Sequence, residues 1–329
     1  MTREVIGAVG ESAWLAGLAS VDPATPATPG VTLGDLVTFH RRRRTPPGAR
    51  FRLVVPYGKA GAAGRPLTLT LYARKNPQER RPAVVFVHGG GWTGGDPYFH
   101  IRHATALAAR GCVTATISYR VYPEARWPQP LEDVKAAIRW VRANAGRIGA
   151  DPDRIAVAGG SAGGHLSAWA ALAPGQYEGT GGNPDVSSAV QAACLWYPAV
   201  ELNAMHFAPE MREGQDTIEL FFGAPGAAGA ADRQAASPLH AVRPGAPPIL
   251  TMTGSADELT PLAPIEEFHR RLTTASVPNE LVVVDGRDHG FDIWTPADWQ
   301  GCFDRMAAFF DDALTASGSS PRVPVEGGV

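Results

Sequence analysis

A serine between glycines, at the end of an apolar segment, constrains this chain more than any other feature. Residues 159–163 read GGSAG and directly follow the apolar residues 154–158, which predict a buried strand. Residues 165–172 predict a helix, so Ser161 stands on a sharp turn from strand to helix. Glycines allow such a turn without Cβ clashes, and the turn projects the serine hydroxyl into open space. The alternative is an ordinary turn or linker.

A second glycine-rich motif follows another apolar segment, residues 82–87. It reads HGGGW over residues 88–92. Three consecutive glycines expose backbone N–H groups, and an oxyanion hole needs such donors aimed in advance at developing negative charge. A flexible loop is the alternative interpretation. The oxyanion-hole interpretation is favoured because the loop precedes the serine turn in the order that an esterase fold requires.

A candidate general base follows the last predicted strand, residues 280–285. His289 lies on the loop between that strand and a C-terminal amphipathic helix. A loop histidine is usually a solvated residue, but the chain order serine, acid, histidine places a histidine here. Of the other histidines, His88 is expected to organise the glycine loop, and His165 lies one helical turn beyond the serine.

The orienting acid is expected between the serine and the histidine. Asp257 stands after the predicted strand 248–253, where it could accept the Nδ1–H of the imidazole and stabilise the imidazolium. Glu258 is an alternative, since either acid serves in this role. Asp285 and Asp288 lie close to the histidine and are interpreted as exposed turn carboxylates.

The apolar segments alternate with helical patterns along most of the chain. Strands are predicted at 51–56, 67–73, 83–88, 113–118, 154–158, 190–196, 248–253 and 280–285, and helices at 103–110, 131–145, 161–172, 264–274 and 296–314. Such alternation predicts an α/β fold with a largely parallel sheet covered on both faces, and the first two strands predict a hairpin.

Composition changes mark the expected domain organisation. Residues 1–49 predict an N-terminal arm, with a contribution to a cap as an open alternative. Residues 50–316 predict the α/β domain. Within that domain, the apolar insert 201–238 predicts a small cap over the serine. The Gly/Ser/Pro-rich tail 317–329 is expected to be disordered.

Overall composition limits the classes of partner. The formal net charge of −2 argues against a nucleic-acid partner, and the arginine run 41–44 is interpreted as a solvated loop. Three cysteines without paired spacing argue against a disulfide framework or a zinc site. The N-terminus does not have the pattern of a secretory signal, and no stretch is long and apolar enough for a membrane span, so the expected location is cytoplasmic.

With these motifs in order, the chain resembles the α/β-hydrolase fold over roughly residues 50–315. More narrowly, it is similar to hormone-sensitive-lipase-like and feruloyl-esterase-like carboxylesterases, including the arylformamidase-like branch. The resemblance is carried by HGGGW (88–92), SYRVYPE (118–124), PQPLEDV (128–134), GGSAGGH (159–165), SPL (237–239) and the loops of Asp257 and His289. Two positions depart from the lipase-like pattern: Gly160 and Ser118 each stand where aspartate is common.

The resemblance implies a mostly parallel eight-stranded sheet and an oxyanion hole formed by the N–H groups of Gly90, Gly91 and Ala162. It implies a serine carboxylic-ester hydrolase that acts on small-molecule esters through an acyl-enzyme, with Ser161, Asp257 and His289 as the triad. No metal or organic cofactor, membrane or nucleic acid is expected, and the chain is expected to be a monomer or homodimer. Substrate contacts are predicted for four residues: Trp92, His165, Phe207 and Phe291.

Three alternatives stay open from the sequence. An amidase or formamidase would use the same triad. A lyase, dehydratase or cyclase could reuse the same pocket without acyl transfer. A ligand-binding receptor on a hydrolase scaffold is the third, because fold does not fix function.

Overall fold

A single eight-stranded sheet organises the part of the chain that the structure describes. The computed structural model describes residues 51–60, 65–74, 80–205, 216–224, 226–290 and 296–315. The strands are β1 (Phe51–Ala60), β2 (Arg65–Ala73), β3 (Arg81–Val87), β4 (Val113–Ile117), β5 (Ala150–Gly160), β6 (Ala192–Trp196), β7 (Ile249–Gly254) and β8 (Asn279–Val284). The expected N-terminal arm and C-terminal tail lie outside the described residues.

Eight α-helices accompany these strands within the described ranges. They are α1 (Ile101–Arg110), α2 (Gln129–Ala143), α3 (Ala145–Ile148), α4 (Ala162–Leu172), α5 (Thr217–Phe222), α6 (Ala230–Ala235), α7 (Leu262–Thr274) and α8 (Pro296–Thr315). The five predicted helices are confirmed with shifts of one to two residues at most ends. The three short helices α3, α5 and α6 were not predicted, because four to six residues give fewer than two turns of periodicity.

The strand order is β1-β2-β4-β3-β5-β6-β7-β8. Strands β1, β2 and β4 are joined by antiparallel pairing, and every neighbouring pair from β4 to β8 is parallel. This confirms the predicted hairpin and the predicted mostly parallel sheet. Because β3, β5, β6, β7 and β8 are consecutive in the sheet, the loops after their carboxyl ends share one edge.

Two apolar layers enclose the sheet. Alternate residues of β3 point to opposite faces, Val85 and Val87 to one layer and Val84 and Phe86 to the other. The first layer packs under α2, α4 and α7, and the second packs under α1 and α8. Both faces are therefore covered, which holds the strand ends and their loops in fixed relative positions.

Candidate active site

Ser161 occupies a strained turn between β5 and α4. Its backbone has φ 56° and ψ −124°, which side-chain-bearing residues rarely adopt. The flanking glycines are required by close approach: a Cβ on Gly163 would lie 2.1 Å from the Val87 oxygen, and one on Gly159 would lie 2.5 Å from the Gly163 oxygen. The turn therefore forms only with glycine at both positions.

The hydroxyl of Ser161 lies in a hydrogen-bonded relay with His289 and Asp257. Ser161 Oγ is 2.9 Å from His289 Nε2, and His289 Nδ1 is 2.8 Å from Asp257 Oδ2. An ionised carboxylate can only accept, so Nδ1 carries the proton and its N–H donates a hydrogen bond to Asp257. The lone pair of Nε2 is then left to accept the serine hydroxyl proton.

Asp257, and not Glu258, faces the histidine. The side chain of Asp257 is fully buried, whereas Glu258 is exposed. Oδ1 of Asp257 accepts the backbone N–H groups of Leu259 at 3.0 Å and Thr260 at 2.8 Å. The carboxylate is thus held in one orientation by its own loop before the imidazole contacts it.

The loop that carries Asp257 is joined by backbone hydrogen bonds to the loop that carries His289. The backbone N–H groups of Ser255 and Ala256 donate to the carbonyls of Val284 and Arg287 at 3.0 and 2.8 Å. At the crossing point, a Cβ on Gly254 would lie 2.0 Å from the Arg287 oxygen, so only glycine fits. These backbone contacts between the two loops fix the distance between Asp257 and His289.

The other carboxylates near the histidine have local backbone roles. Asp285 accepts the hydroxyl of Ser255 at 3.1 Å, and Asp288 accepts the backbone N–H of His289 at 2.6 Å. Both side chains belong to exposed residues, as predicted for turn carboxylates.

In the glycine loop, the backbone N–H groups of Gly90 and Gly91 point away from the hydrogen bonds that close the loop. In a planar trans peptide, a carbonyl and the following N–H point in opposite directions. His88 Nδ1 lies 2.8 Å from the Gly89 carbonyl oxygen, so the N–H of Gly90 points away from this imidazole. The Gly90 carbonyl accepts from Thr93 and Gly94 inside the turn, so the N–H of Gly91 points out of it.

His88 is a neutral donor that organises this loop. Burial lowers its pKa from 6.5 to about 4, which keeps the ring uncharged at neutral pH. Tyr119 stacks on the ring at 4.2 Å, and its hydroxyl donates to the His88 carbonyl at 2.8 Å. A Cβ on Gly95 would lie 2.3 Å from His88 Nδ1, so the loop closes against the imidazole only with glycine there.

The third predicted donor, Ala162, begins helix α4. The carbonyl of Ser161 accepts the N–H of His165 at 2.9 Å, so the N–H of Ala162 points out of the helix start. First-turn N–H groups have no partner inside their own helix and favour negative charge. Gly89 passes directly over this point, where its Cβ would lie 3.3 Å from Ser161 Cβ.

Two of the residues predicted to contact substrate form a buried wall beside the glycine loop. Trp92 is 1% exposed and stacks on Phe221 of α5 at 4.4 Å. His165 is fully buried, and its Nε2 lies 2.8 Å from the Ala236 carbonyl oxygen. In this conformation its imidazole is directed to protein groups and not to the serine hydroxyl. The other two, Phe207 and Phe291, lie outside the described residues.

Two further residues contact the relay and were missed by sequence reasoning. The ring of Tyr197, which follows β6, meets the imidazole of His289 edge-on at 4.6 Å. The hydroxyl of Thr260 lies 2.8 Å from Asp257 Oδ2. A signal existed for each: Tyr197 stands at a carboxyl strand end, and Thr260 stands three residues after an aspartate, a spacing typical of local side-chain turns.

The described part of the chain contains no group of three or more His, Cys, Asp or Glu side chains arranged to hold a metal ion. None of the helices described combines the length and apolarity that crossing a bilayer requires.

Comparison with known proteins agrees with this architecture. Esterase LipC of Mycobacterium tuberculosis is 34% identical over 241 residues, which are 68% of this chain and 57% of LipC. The chain thus spans little more than half the length of that curated relative.

Among solved structures, a propionate-bound esterase of Thermogutta terrifontis, Est2, superposes with a TM-score of 0.69 at 30% identity. The match covers 83% of this chain and 97% of that one. The same esterase phosphorylated by paraoxon gives a TM-score of 0.68 at 30% identity, over 84% of this chain and 100% of that one. These likenesses confirm the predicted α/β-hydrolase fold.

The BD-FAE family model matches residues 69–272, which include the glycine loop, the serine turn and the acid. The chain therefore belongs to the BD-FAE family and adopts the α/β-hydrolase fold.

Proposed function

We propose that this chain is a carboxylesterase that hydrolyses small-molecule esters through an acyl-enzyme on Ser161. The observation that supports this most directly is the continuous relay from Ser161 Oγ through His289 to Asp257, with both links between 2.8 and 2.9 Å. The esterase names of the relatives and the structural neighbours support the same reaction class.

In the first half of the reaction, His289 takes the proton of Ser161 as its oxygen attacks the ester carbonyl. The backbone N–H groups of Gly90, Gly91 and Ala162 then donate to the oxyanion. Each such donor contributes about 3 kcal/mol of transition-state stabilisation. His289 passes its proton to the leaving alcohol, and the acyl group stays on the serine.

In the second half, a water molecule replaces the alcohol. His289 removes a proton from the water, which attacks the acyl carbonyl, and the tetrahedral intermediate uses the same three N–H groups. Return of the proton to Ser161 releases the carboxylic acid and restores the relay. Asp257 stays ionised throughout and stabilises the imidazolium.

The insert 201–238 is proposed to form a cap-like wall for the substrate. Two contacts support this placement: Phe221 stacks on Trp92 at 4.4 Å, and Thr217 lies 3.3 Å from where a Cβ on Gly91 would stand. Because the insert packs on the proposed oxyanion loop, the bound acyl or alcohol group would lie beside this contact, next to Ser161. Propionate bound in the related Est2 esterase supports short acyl groups as the first substrates to test.

The deciding experiment compares wild type with Ser161→Ala on p-nitrophenyl acetate and propionate, and in parallel on an N-formyl anilide. An esterase hydrolyses the esters much faster than the anilide, and the variant loses this activity by roughly 10⁴-fold or more. Faster cleavage of the anilide would favour the formamidase alternative. Unchanged ester turnover in a folded Ser161→Ala protein would contradict the proposal.

A further inference from the structure

The hydroxyl of Thr260 lies behind the bond between Asp257 and His289. Its oxygen is 2.8 Å from Asp257 Oδ2 and 3.3 Å from His289 Nδ1. It is also 3.3 Å from the carbonyl oxygen of Tyr197. The residue is 3% exposed, so water does not compete for these contacts.

The single hydroxyl proton has one favoured acceptor. Asp257 Oδ2 is both closer and negatively charged, and hydrogen bonds to charged acceptors are the stronger ones. When the hydroxyl donates to Oδ2, a lone pair of its oxygen is left to face the Nδ1–H of His289. That N–H then has a main acceptor, Asp257 Oδ2, and a longer second acceptor, Thr260 Oγ1.

Thr260 therefore binds both oxygens of the acid. Its backbone N–H donates to Oδ1 at 2.8 Å while its hydroxyl donates to Oδ2. Without the hydroxyl, the imidazole would be the one remaining partner of Oδ2 among the described residues, and rotation of the carboxylate would meet less resistance.

We propose that Thr260 is a positioning residue of the relay, which holds Asp257 Oδ2 in line with His289 Nδ1 and moderates the negative charge that the imidazole experiences. This inference rests on the proposed function, because it assigns Thr260 a role in activating Ser161. Thr260 does not contact the reacting atoms and acts only through Asp257 and His289.

The proposal predicts a direction for the pH dependence of catalysis. A donated hydrogen bond withdraws charge from the carboxylate, so its removal strengthens the attraction between Asp257 and a protonated imidazole. His289 would then stay protonated to higher pH. The other titratable groups against His289 among the described residues are Asp288, at its backbone N–H, and Tyr197, at its ring edge, and neither is changed by substitution at position 260.

The test uses Thr260→Val, which removes the hydroxyl at nearly constant shape, and Thr260→Ser, which keeps it. The pH profile of kcat/KM is measured on p-nitrophenyl propionate. In Thr260→Val, the acidic limb is expected to move by about half a pH unit or more to higher pH, and kcat to fall about tenfold with KM within twofold. Thr260→Ser is expected to keep the wild-type limb and most of kcat. If valine prevents folding, Thr260→Ala removes the same hydroxyl.

A second readout separates this inference from the proposed function. The rate at which a fluorophosphonate modifies Ser161 depends on serine activation but not on ester turnover, and its acidic limb is expected to shift in the same way. A wild type that is labelled but hydrolyses no ester would contradict the proposed function alone. A Thr260→Val protein with wild-type limbs in both assays, or a Thr260→Ser protein as impaired as Thr260→Val, would overturn the role of Thr260. A wild type that is not labelled at all would overturn both.

Discussion

The ring of Tyr197 occupies the space that a side chain on residue 160 would need. A Cβ built on Gly160 would lie 3.0 Å from Tyr197 Cε2 and from its hydroxyl oxygen. The same ring meets the His289 imidazole edge-on at 4.6 Å. Glycine at position 160 therefore leaves room for the aromatic ring that contacts the histidine from that side.

Gly160→Ala is expected to push the Tyr197 ring toward His289 and to lower kcat/KM about tenfold, since small displacements of a base are costly. The matched control is Gly301→Ala on α8, where a Cβ meets nothing within 4 Å. This control should keep wild-type activity and gain slightly in stability from helix propensity.

A double-mutant cycle checks whether the effect of Gly160→Ala passes through the ring. In a Tyr197→Leu background, the same Gly160→Ala change should cost less than in wild type, because the ring that it displaces is gone. Equal losses in both backgrounds would show that the methyl group acts elsewhere.

Asp257→Asn is expected to lower kcat on the order of 10⁴-fold, because an amide can stabilise the wrong imidazole tautomer and carries no charge. The neighbouring exposed Glu258→Gln should stay within about twofold of wild type. Initial-rate kinetics on one ester measure both. The reverse ranking would assign the role of orienting acid to Glu258.

His88 offers a test of the glycine loop. In His88→Leu the Gly89 carbonyl loses its donor, so the Gly90 N–H is no longer held in the orientation proposed for the oxyanion hole, and kcat should fall by roughly 10²-fold. In His88→Asn an amide N–H can replace Nδ1–H and should restore part of the activity. If leucine and asparagine variants lose activity equally, the hydrogen bond to the Gly89 carbonyl is not what positions the loop.

Stability is expected to decrease in mild acid because buried histidines resist protonation. Burial, followed by repulsion from His88, lowers the pKa of His100 from 6.5 to about 4. Between these values the unfolded chain binds more protons than the folded one, so stability is complete above pH 6.5 and is lost as pH falls toward 4. His88 and His165, whose pKa values are also lowered to about 4 by burial, add to the effect.

The variant His100→Phe removes one of these titrating groups, so it measures the contribution of His100 alone. Its neighbours Phe86 and Trp196, at 5.8 and 5.4 Å, form an aromatic site that can accept phenylalanine. Urea unfolding between pH 6.5 and 4 should show a slope smaller than that of wild type by up to about 1.4 kcal/mol per pH unit. An unchanged slope would mean that His100 does not contribute to acid sensitivity.

Much of the fold followed from local pattern. Apolar segments bounded by glycine or proline predicted all eight strands. The central strands are buried on both faces, so most of their residues are apolar and stand out in the sequence. Strand ends were less exact: β5 extends over Ala150–Gly160, beyond the predicted 154–158, since polar residues at its start do not carry the apolar signal.

The details of the site depended on packing that no local pattern contains. Asp257 and Glu258 share one turn, and only the fold decides which side chain faces His289. His165 follows Ser161 by one helical turn, yet α4 is buried on all sides, so that imidazole bonds to Ala236 instead. The supporting roles of Tyr197 and Thr260 require contacts between loops far apart along the chain.

The most direct measurement is intact-protein and peptide mass spectrometry after reaction with a fluorophosphonate. If Ser161 is activated by His289 and Asp257, wild type gains the mass of one phosphonyl group on the peptide that contains Ser161, and ester hydrolysis stops in proportion. Ser161→Ala gains none. Labelling on another residue, or equal labelling of wild type and Ser161→Ala, would contradict the role of this serine as the nucleophile.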